Sequence, residues 1–180
     1  TAAILSSQCK RHLREQAVGD WSTVQLARAL LIATLLGQHP GHARLSLLEQ
    51  LFQWGDDQEK IALLKALDDL DSQGARLNLA LLAGRTRNPE VLAALALDTP
   101  YPSRHYAGRA FRQLLLKALG RGRGAGRVIG LKQRQGVTLN QLALDLMDEQ
   151  LAADRAVSPS LPRLIAFDLL ARGDDDLQPL

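Results

Sequence analysis

The chain has 180 residues, with 22 basic and 19 acidic side chains and one cysteine. A single cysteine excludes an internal disulfide, and a chain of this length buries roughly 70% of its unfolded surface without such a crosslink. The composition is rich in Leu and Ala with 4% aromatic residues, which favours helices over strands. We therefore expect one all-α domain over residues 1–173 and a frayed acidic tail over residues 174–180.

The sequence shows no targeting or membrane-spanning signal. The N-terminal residues lack the basic region and apolar run of a signal peptide. The longest apolar stretch, residues 26–36, contains Arg28 and is far shorter than the roughly 20 residues that span a bilayer. We therefore expect a cytoplasmic protein, in which Cys9 stays reduced.

Capping residues, glycines and prolines predict nine helices. The first covers residues 2–16, and the second covers residues 23–37 with Ser22 as its N-cap. The second is apolar on every side, which predicts a position in the middle of the protein. The others begin near residues 45, 57, 76, 89, 103, 138 and 162, with candidate N-caps at Asp56, Asn88, Ser103 and Thr138.

The connections between these helices are short. Thr99-Pro100-Tyr101-Pro102 predicts an extended turn, because residues that precede proline avoid helical dihedral angles. The glycine–arginine loop, residues 120–127, predicts a solvated link. Short loops make neighbouring helices antiparallel, and the string LLKAL at 63–67 recurs at 115–119. We expect antiparallel hairpins stacked as a HEAT-like α-α superhelix, with a compact helical bundle as the alternative.

Charge is unevenly distributed along the chain. Residues 99–144 contain nine basic and no acidic side chains, whereas residues 56–71 contain six acids and two bases. If residues 103–119 form one helix, His105, Arg109 and Arg112 share a face at spacings of four and seven. Such a face suits a carboxylate or phosphate. Alternatively, it is a solvated face or pairs with the acidic fourth helix.

Two further functions start from the same residues. In one, an enzyme uses His105 as general acid or base beside Arg109 and Tyr101. In the other, the glycine–arginine loop binds nucleic acid, which the modest net charge of +3 and the few aromatic residues disfavour. No zinc, metalloprotease or serine-hydrolase motif is present, so we expect no metal and no cofactor.

Several segments carry a family resemblance. They are LDTPYPSRHY at 97–106, AFRQLLLKAL at 110–119, RVIGL at 127–131 and DEQLAADRAV at 148–157, with RT at 85–86. Over residues 85–162 the chain resembles the EboA-domain proteins. It departs from their pattern at Arg112, where asparagine is expected, and in the arginine-rich loop.

The resemblance implies a non-enzymatic accessory protein of a pathway that makes or exports a secondary metabolite. Its expected partner is a pathway protein or an anionic small molecule, and a peripheral contact with a membrane-bound partner is compatible with that role. It supplies no catalytic residues. Combined with the charge pattern, it predicts a ligand or partner surface of Tyr101, Arg104, His105, Arg109, Arg112, Gln113 and Lys117.

Overall fold

The all-α fold is confirmed by a computed structural model, which describes residues 8–9, 13, 16–120 and 124–172. Its helices are α1 Thr23–Gly37, α2 Gly41–Trp54, α3 Asp57–Lys65, α4 Leu67–Leu70, α5 Leu77–Ala83, α6 Pro89–Ala96, α7 Tyr101–His105, α8 Gly108–Leu119, α9 Leu131–Arg134, α10 Val137–Ala152 and α11 Phe167–Arg172. Short 3-10 helices cover Ala125–Arg127 and Leu161–Leu164. One unpredicted element is a small antiparallel hairpin of β1, Ala17–Val18, and β2, Trp21–Ser22.

Two helices form the centre of the core. Helix α3 packs against both α1 and α6, and its residues Ile61, Ala62, Leu63 and Leu64 are all buried. Every residue from 91 to 96 in α6 is also buried, because its alanines let neighbouring helices approach closely. The prediction that α1 is central was wrong: Leu30 is 60% exposed. Apolar composition alone did not determine which helix became enclosed.

The predicted N-caps were mostly confirmed. Ser22 and Asp56 each form a capping box with the side chain three residues later, which satisfies backbone N–H groups at the helix start. The Asn88 side chain accepts from two N–H groups of α6. Thr138 was wrongly predicted as a cap, because α10 already begins at Val137 after Gly136. Ser103 was also wrongly predicted as a cap, because it lies inside α7.

Three predicted helices are interrupted. The fourth is divided at Ala66, and residues 103–119 are divided by the extended dihedral angles of Tyr106 and Ala107. The predicted extended turn at Pro100–Pro102 is instead the start of α7, because the fixed φ of proline suits the first turn of a helix. The predicted ninth helix is also divided, at Ile165 and Ala166.

The HEAT-like stacking and the single-domain assignment stay predictions. The acidic tail lies outside the described residues, as does most of the predicted first helix. Within the described part of the chain, no helix is long and apolar enough to cross a membrane.

Asn140 explains the division of the last predicted helix. Its side chain is buried in α10 and bonds to both backbone polar groups of Ala166. The Asn140 oxygen accepts from Ala166 N at 2.9 Å, and its amide nitrogen donates to Ala166 O at 3.1 Å. These bonds replace intrahelical partners at the gap before α11.

Asn140→Ala should destabilise the fold by about 1–3 kcal/mol, because it leaves the Ala166 N–H without its partner and removes one of the two hydrogen bonds to the Ala166 carbonyl oxygen, which also accepts from Leu169 N. Denaturant unfolding monitored by circular dichroism measures this change. Gln141→Ala is the matched control, since Gln141 is exposed and bonds only to Asp145 one turn away; its effect should stay within about 0.5 kcal/mol. Equal losses in the two variants would contradict the role given to Asn140.

Candidate functional site

The acidic and basic segments meet between α4 and α7. Asp68 and Asp71 lie in and just after α4, and both are buried. They contact side chains of α7, namely Tyr101, Arg104 and His105. The pairing of the basic stretch with the acidic fourth helix, one of the alternatives read from the sequence, is therefore present for these residues.

Asp71 is the anchor of this cluster. Its carboxylate accepts from the backbone N–H groups of Ala75 at 3.0 Å and Arg76 at 2.7 Å, and from the Tyr101 hydroxyl at 2.7 Å. Burial, followed by the bond to Asp71, raises the pKa of Tyr101 above its ordinary value of 10. The Tyr101 hydroxyl is therefore a fixed hydrogen-bond donor at neutral pH, and the side chain, 0% exposed, does not reach the surface.

Asp68 lies beside two side chains of α7. Arg104 Nη1 donates to its Oδ2, and His105 Nε2 lies 3.9 Å from its Oδ1. Neither His105 Nε2 nor Asp68 Oδ1 has a hydrogen-bond partner among the described residues. The imidazole lies against Tyr101, with ring centroids 4.5 Å apart, and against Gly74, where a Cβ would come within 2.6 Å of Nδ1. The imidazole is thus held by packing on two sides.

The other residues of the predicted surface lie on α8. Arg109 and Gln113 are exposed and Arg112 is half-buried. Lys117 turns inward and donates to the carbonyl oxygens of Gly84 at 2.8 Å and Thr86 at 2.9 Å. Because α7 ends before Tyr106, the helical spacing that was expected to align His105 with Arg109 and Arg112 does not exist. Whether these residues form a binding surface stays a prediction.

Other sequence candidates stay outside this cluster. Residues 121–123 of the glycine–arginine loop are not among the described residues, so its predicted nucleic-acid contact stays a prediction. Cys9 is half-exposed and unpaired. In the described ranges, no three His, Cys, Asp or Glu side chains are grouped so that they could hold a metal ion.

A separate cleft of about 510 Å³ opens beside α3. The β1–β2 hairpin forms one wall, and α3, α6 and the residues Asp98 and Arg127 form the others. Its lining is mixed: Trp21, Ile61, Ala93 and Ala94 are apolar, and Gln16, Asp20, Gln25, Gln58, Lys65, Glu90, Asp98 and Arg127 are polar or charged. Small-molecule sites are mostly apolar with a few convergent polar groups, so this more polar lining suits a polar ligand.

Lys65 is the most unusual residue of the cleft. It is 7% exposed, and its Nζ donates to the carbonyl oxygen of Asp20 and to Gln25 Oε1 at 3.2 Å. The ammonium lies 4.8 Å from the centroid of the Trp21 ring, within cation–π range. An ammonium has three N–H donors, so these two hydrogen bonds leave one.

The electrostatic surroundings of Lys65 have opposing effects. Burial lowers its pKa; nearby Asp98 raises it, Arg127 lowers it and Asp20 raises it. Arg127 donates to Asp98 through Nε at 2.9 Å and through Nη2. Its Nη1 carries two more N–H donors with no partner in the part of the chain that the structure describes. Lys65 and Arg127 thus place two cations with unused donors along one cleft.

Lys65, Trp21 and Asp98 line the cleft but were not among the site residues predicted from the sequence. One signal was present: Lys65 follows Ile61 by four residues, so a lysine shares a helical face with an apolar residue in a strongly apolar run. The partners of Lys65 could not be read in this way, because Asp20 is 45 residues distant in the chain.

Tyr101→Phe should destabilise the protein by about 1.5–3 kcal/mol, because a hydrogen bond to a buried charged group is lost. Tyr106→Phe is the matched control: the Tyr106 hydroxyl is buried without a hydrogen-bond partner, so its removal should cost almost nothing. Thermal and urea unfolding of both variants measure the difference. Indistinguishable stabilities would contradict the anchoring role of the Asp71–Tyr101 bond.

Comparison with known proteins places the chain in a family. A family model described as metabolite traffic protein EboA matches residues 6–166, which include both the cluster around Asp71 and the cleft around Lys65. No curated protein sequence and no solved structure matches the chain. The family match covers most of the 180 residues, and the chain therefore belongs to the EboA family of metabolite traffic proteins.

Proposed function

We propose that this protein is a non-enzymatic accessory protein that binds a small anionic metabolite in the cleft around Lys65. The family's description as metabolite traffic proteins supports a role in handling a metabolite. The observation that carries the proposal is the buried ammonium of Lys65 beside Arg127, with N–H donors of both side chains unused.

Energetics favour a ligand-related role for Lys65. Burying an ammonium without a full set of partners costs free energy, and the lowered pKa of Lys65 has burial as its largest cause. Groups with perturbed pKa values in clefts are candidates for functional sites. A carboxylate or phosphate oxygen would accept from the remaining donor of Lys65 and from Arg127 Nη1, and would give Lys65 a directly bonded countercharge.

The lining also indicates what the rest of the ligand looks like. The carboxylate of Asp20 is exposed at the cleft and suits a hydroxyl or amino group of a ligand. Ile61, Ala93 and Ala94 suit an apolar portion. The ligand class is therefore a small amphiphilic metabolite with one acidic group and hydrogen-bond donors elsewhere.

The alternative enzyme hypothesis finds less support in the cluster around Asp68. Tyr101 is committed to Asp71, and Arg109 follows the break at Tyr106 and Ala107 instead of continuing the helix of His105. The expected combination of His105, Arg109 and Tyr101 thus lacks the helical spacing on which it was based. Binding without chemistry is the function that the cleft supports best.

Lys65→Met should weaken binding of an anionic metabolite at least about tenfold, because a charge-assisted hydrogen bond is lost. The measurement starts with a thermal-shift screen of the wild-type chain against monocarboxylates, dicarboxylates, phosphomonoesters and diphosphates, since a ligand raises the melting temperature by mass action. Isothermal titration of each stabilising compound then compares wild type with the variant.

Lys117→Met is the matched control for this experiment. Lys117 also donates to backbone carbonyl oxygens but does not line the cleft. Its variant should keep wild-type affinity for the same compounds. Equal affinity in wild type and Lys65→Met, or no stabilising anion in the whole panel, would overturn the proposal.

The lowered pKa of Lys65 predicts a pH dependence. Between its folded-state pKa and the ordinary value of 10.5, the unfolded chain binds more protons at this position than the folded chain. The free energy of unfolding of the wild type should therefore rise with pH relative to that of Lys65→Met across this window. Urea unfolding of both proteins from pH 7 to pH 10 measures the difference, in which the ionisation of tyrosines cancels. A difference that stays constant or shrinks would contradict the direction of the shift.

A further inference from the structure

Five basic side chains outside the cleft carry charges that the proposed metabolite site does not involve. Within the described residues, none of them makes an ion pair. We call them the basic surface, and they are Arg109, Arg112, Lys132, Arg134 and Arg163. All except Arg163 come from the acid-free stretch of residues 99–144, so the chain provides no neighbouring acid in sequence to neutralise them.

Contacts of α9 bring these residues together. Arg134 donates to the carbonyl oxygen of Tyr106 at 2.6 Å, and its guanidinium lies 4.8 Å from the centroid of the Phe111 ring. Helix α9 therefore lies over the corner between α7 and α8, and Arg109 and Arg112 belong to the first turns of α8, which begins at that corner. The amide of Gln135 donates to the carbonyl oxygens of Arg163 and Leu164, each at 3.1 Å, which places the backbone of Arg163 beside the end of α9. The Arg163 guanidinium lies against Gly126.

An apolar side chain projects beside this basic surface. Ile129 is 46% exposed and precedes Gly130, whose φ is +77°. A Cβ on Gly130 would collide with Ser103 of α7, so the turn that carries Ile129 is pressed against the same corner. Ile129 therefore stands at the edge of the basic surface, two residues before α9 begins at Leu131.

We propose that the basic surface and Ile129 bind the surface of an anionic lipid bilayer. Basic residues near a membrane are attracted by its negative surface potential, and an exposed apolar side chain among them enters the boundary between headgroups and acyl chains. Such docking would place the metabolite cleft at the membrane without any membrane-spanning segment. It does not depend on a ligand in the cleft.

The surface fits lipid better than single-stranded nucleic acid. Nucleic-acid grooves combine cations with aromatic rings on which bases stack. Here Tyr106 and Phe111 are buried at 4% and 1% exposure, which leaves Phe167, four residues after Arg163, as one exposed ring at 64%. The exposed Ile129 and Val137 are aliphatic and suit acyl chains, not base stacking.

The test is vesicle flotation with the full chain. Vesicles of phosphatidylcholine mixed with phosphatidylglycerol should carry the protein with them, whereas vesicles of phosphatidylcholine alone should not. Arg109→Gln with Lys132→Gln should lower the partition coefficient roughly 25-fold, from about fivefold for each removed cation. Ile129→Ser should lower it further by removing the apolar contact, and raised salt should weaken binding in all proteins.

Two controls make the result specific. Arg85→Gln with Arg155→Gln removes two exposed cations elsewhere on the protein, and Lys65→Met alters the metabolite cleft; both proteins should float like wild type. The proposal is overturned if wild type floats equally with the neutral vesicles or with neither kind. It is also overturned if the two double variants lose equal binding, or if single-stranded oligonucleotide strips the protein from the anionic vesicles.

Discussion

The buried carboxylate of Asp71 joins the acidic segment that ends after α4 to helix α7. It accepts hydrogen bonds from two backbone N–H groups in the turn before α5 and from the hydroxyl of Tyr101. In this way one side chain fixes the end of the acidic segment to the start of α7. A buried charge is tolerated only with such a set of partners.

The position of α7 then determines both clusters of charge. Arg104 and His105 follow Tyr101 within the same helix and therefore reach Asp68. Asp98 precedes Tyr101 by three residues. It accepts hydrogen bonds from Arg127, and the two side chains together line one wall of the cleft. The α3–α4 segment thus has charged side chains on two sides: Lys65 faces the cleft, and Asp68 and Asp71 face α7. Lys65, Asp68 and Asp71 each bond to at least one group distant in sequence, and these bonds connect the hairpin, α3, α4 and α7.

Local chemistry made much of the fold predictable. The capping residues Ser22, Asp56 and Asn88 and the span of α1 could be read from the sequence because a cap acts within three residues of itself. The helix break at Tyr106 and Ala107 could not, because it depends on burying the Tyr106 ring and on Arg134, 28 residues away. The cleft was missed for the same reason: its polar lining comes from segments brought together only by folding. The charge pattern along the chain left contact between the acidic and basic segments as one of several alternatives, and it did not indicate which residues would pair.

Two lysines of the chain differ in their surroundings. Lys117 donates to two backbone carbonyl oxygens at the end of α5, an arrangement that closes a helix terminus. Lys65 has one carbonyl, one side-chain amide and the face of Trp21, and it faces open volume instead of packed backbone. Since its hydrogen bonds reach the β1–β2 hairpin, an anion that recruits the remaining donor would bind where the hairpin meets α3. The same lysine would then link occupancy of the cleft to the placement of the hairpin that forms its wall.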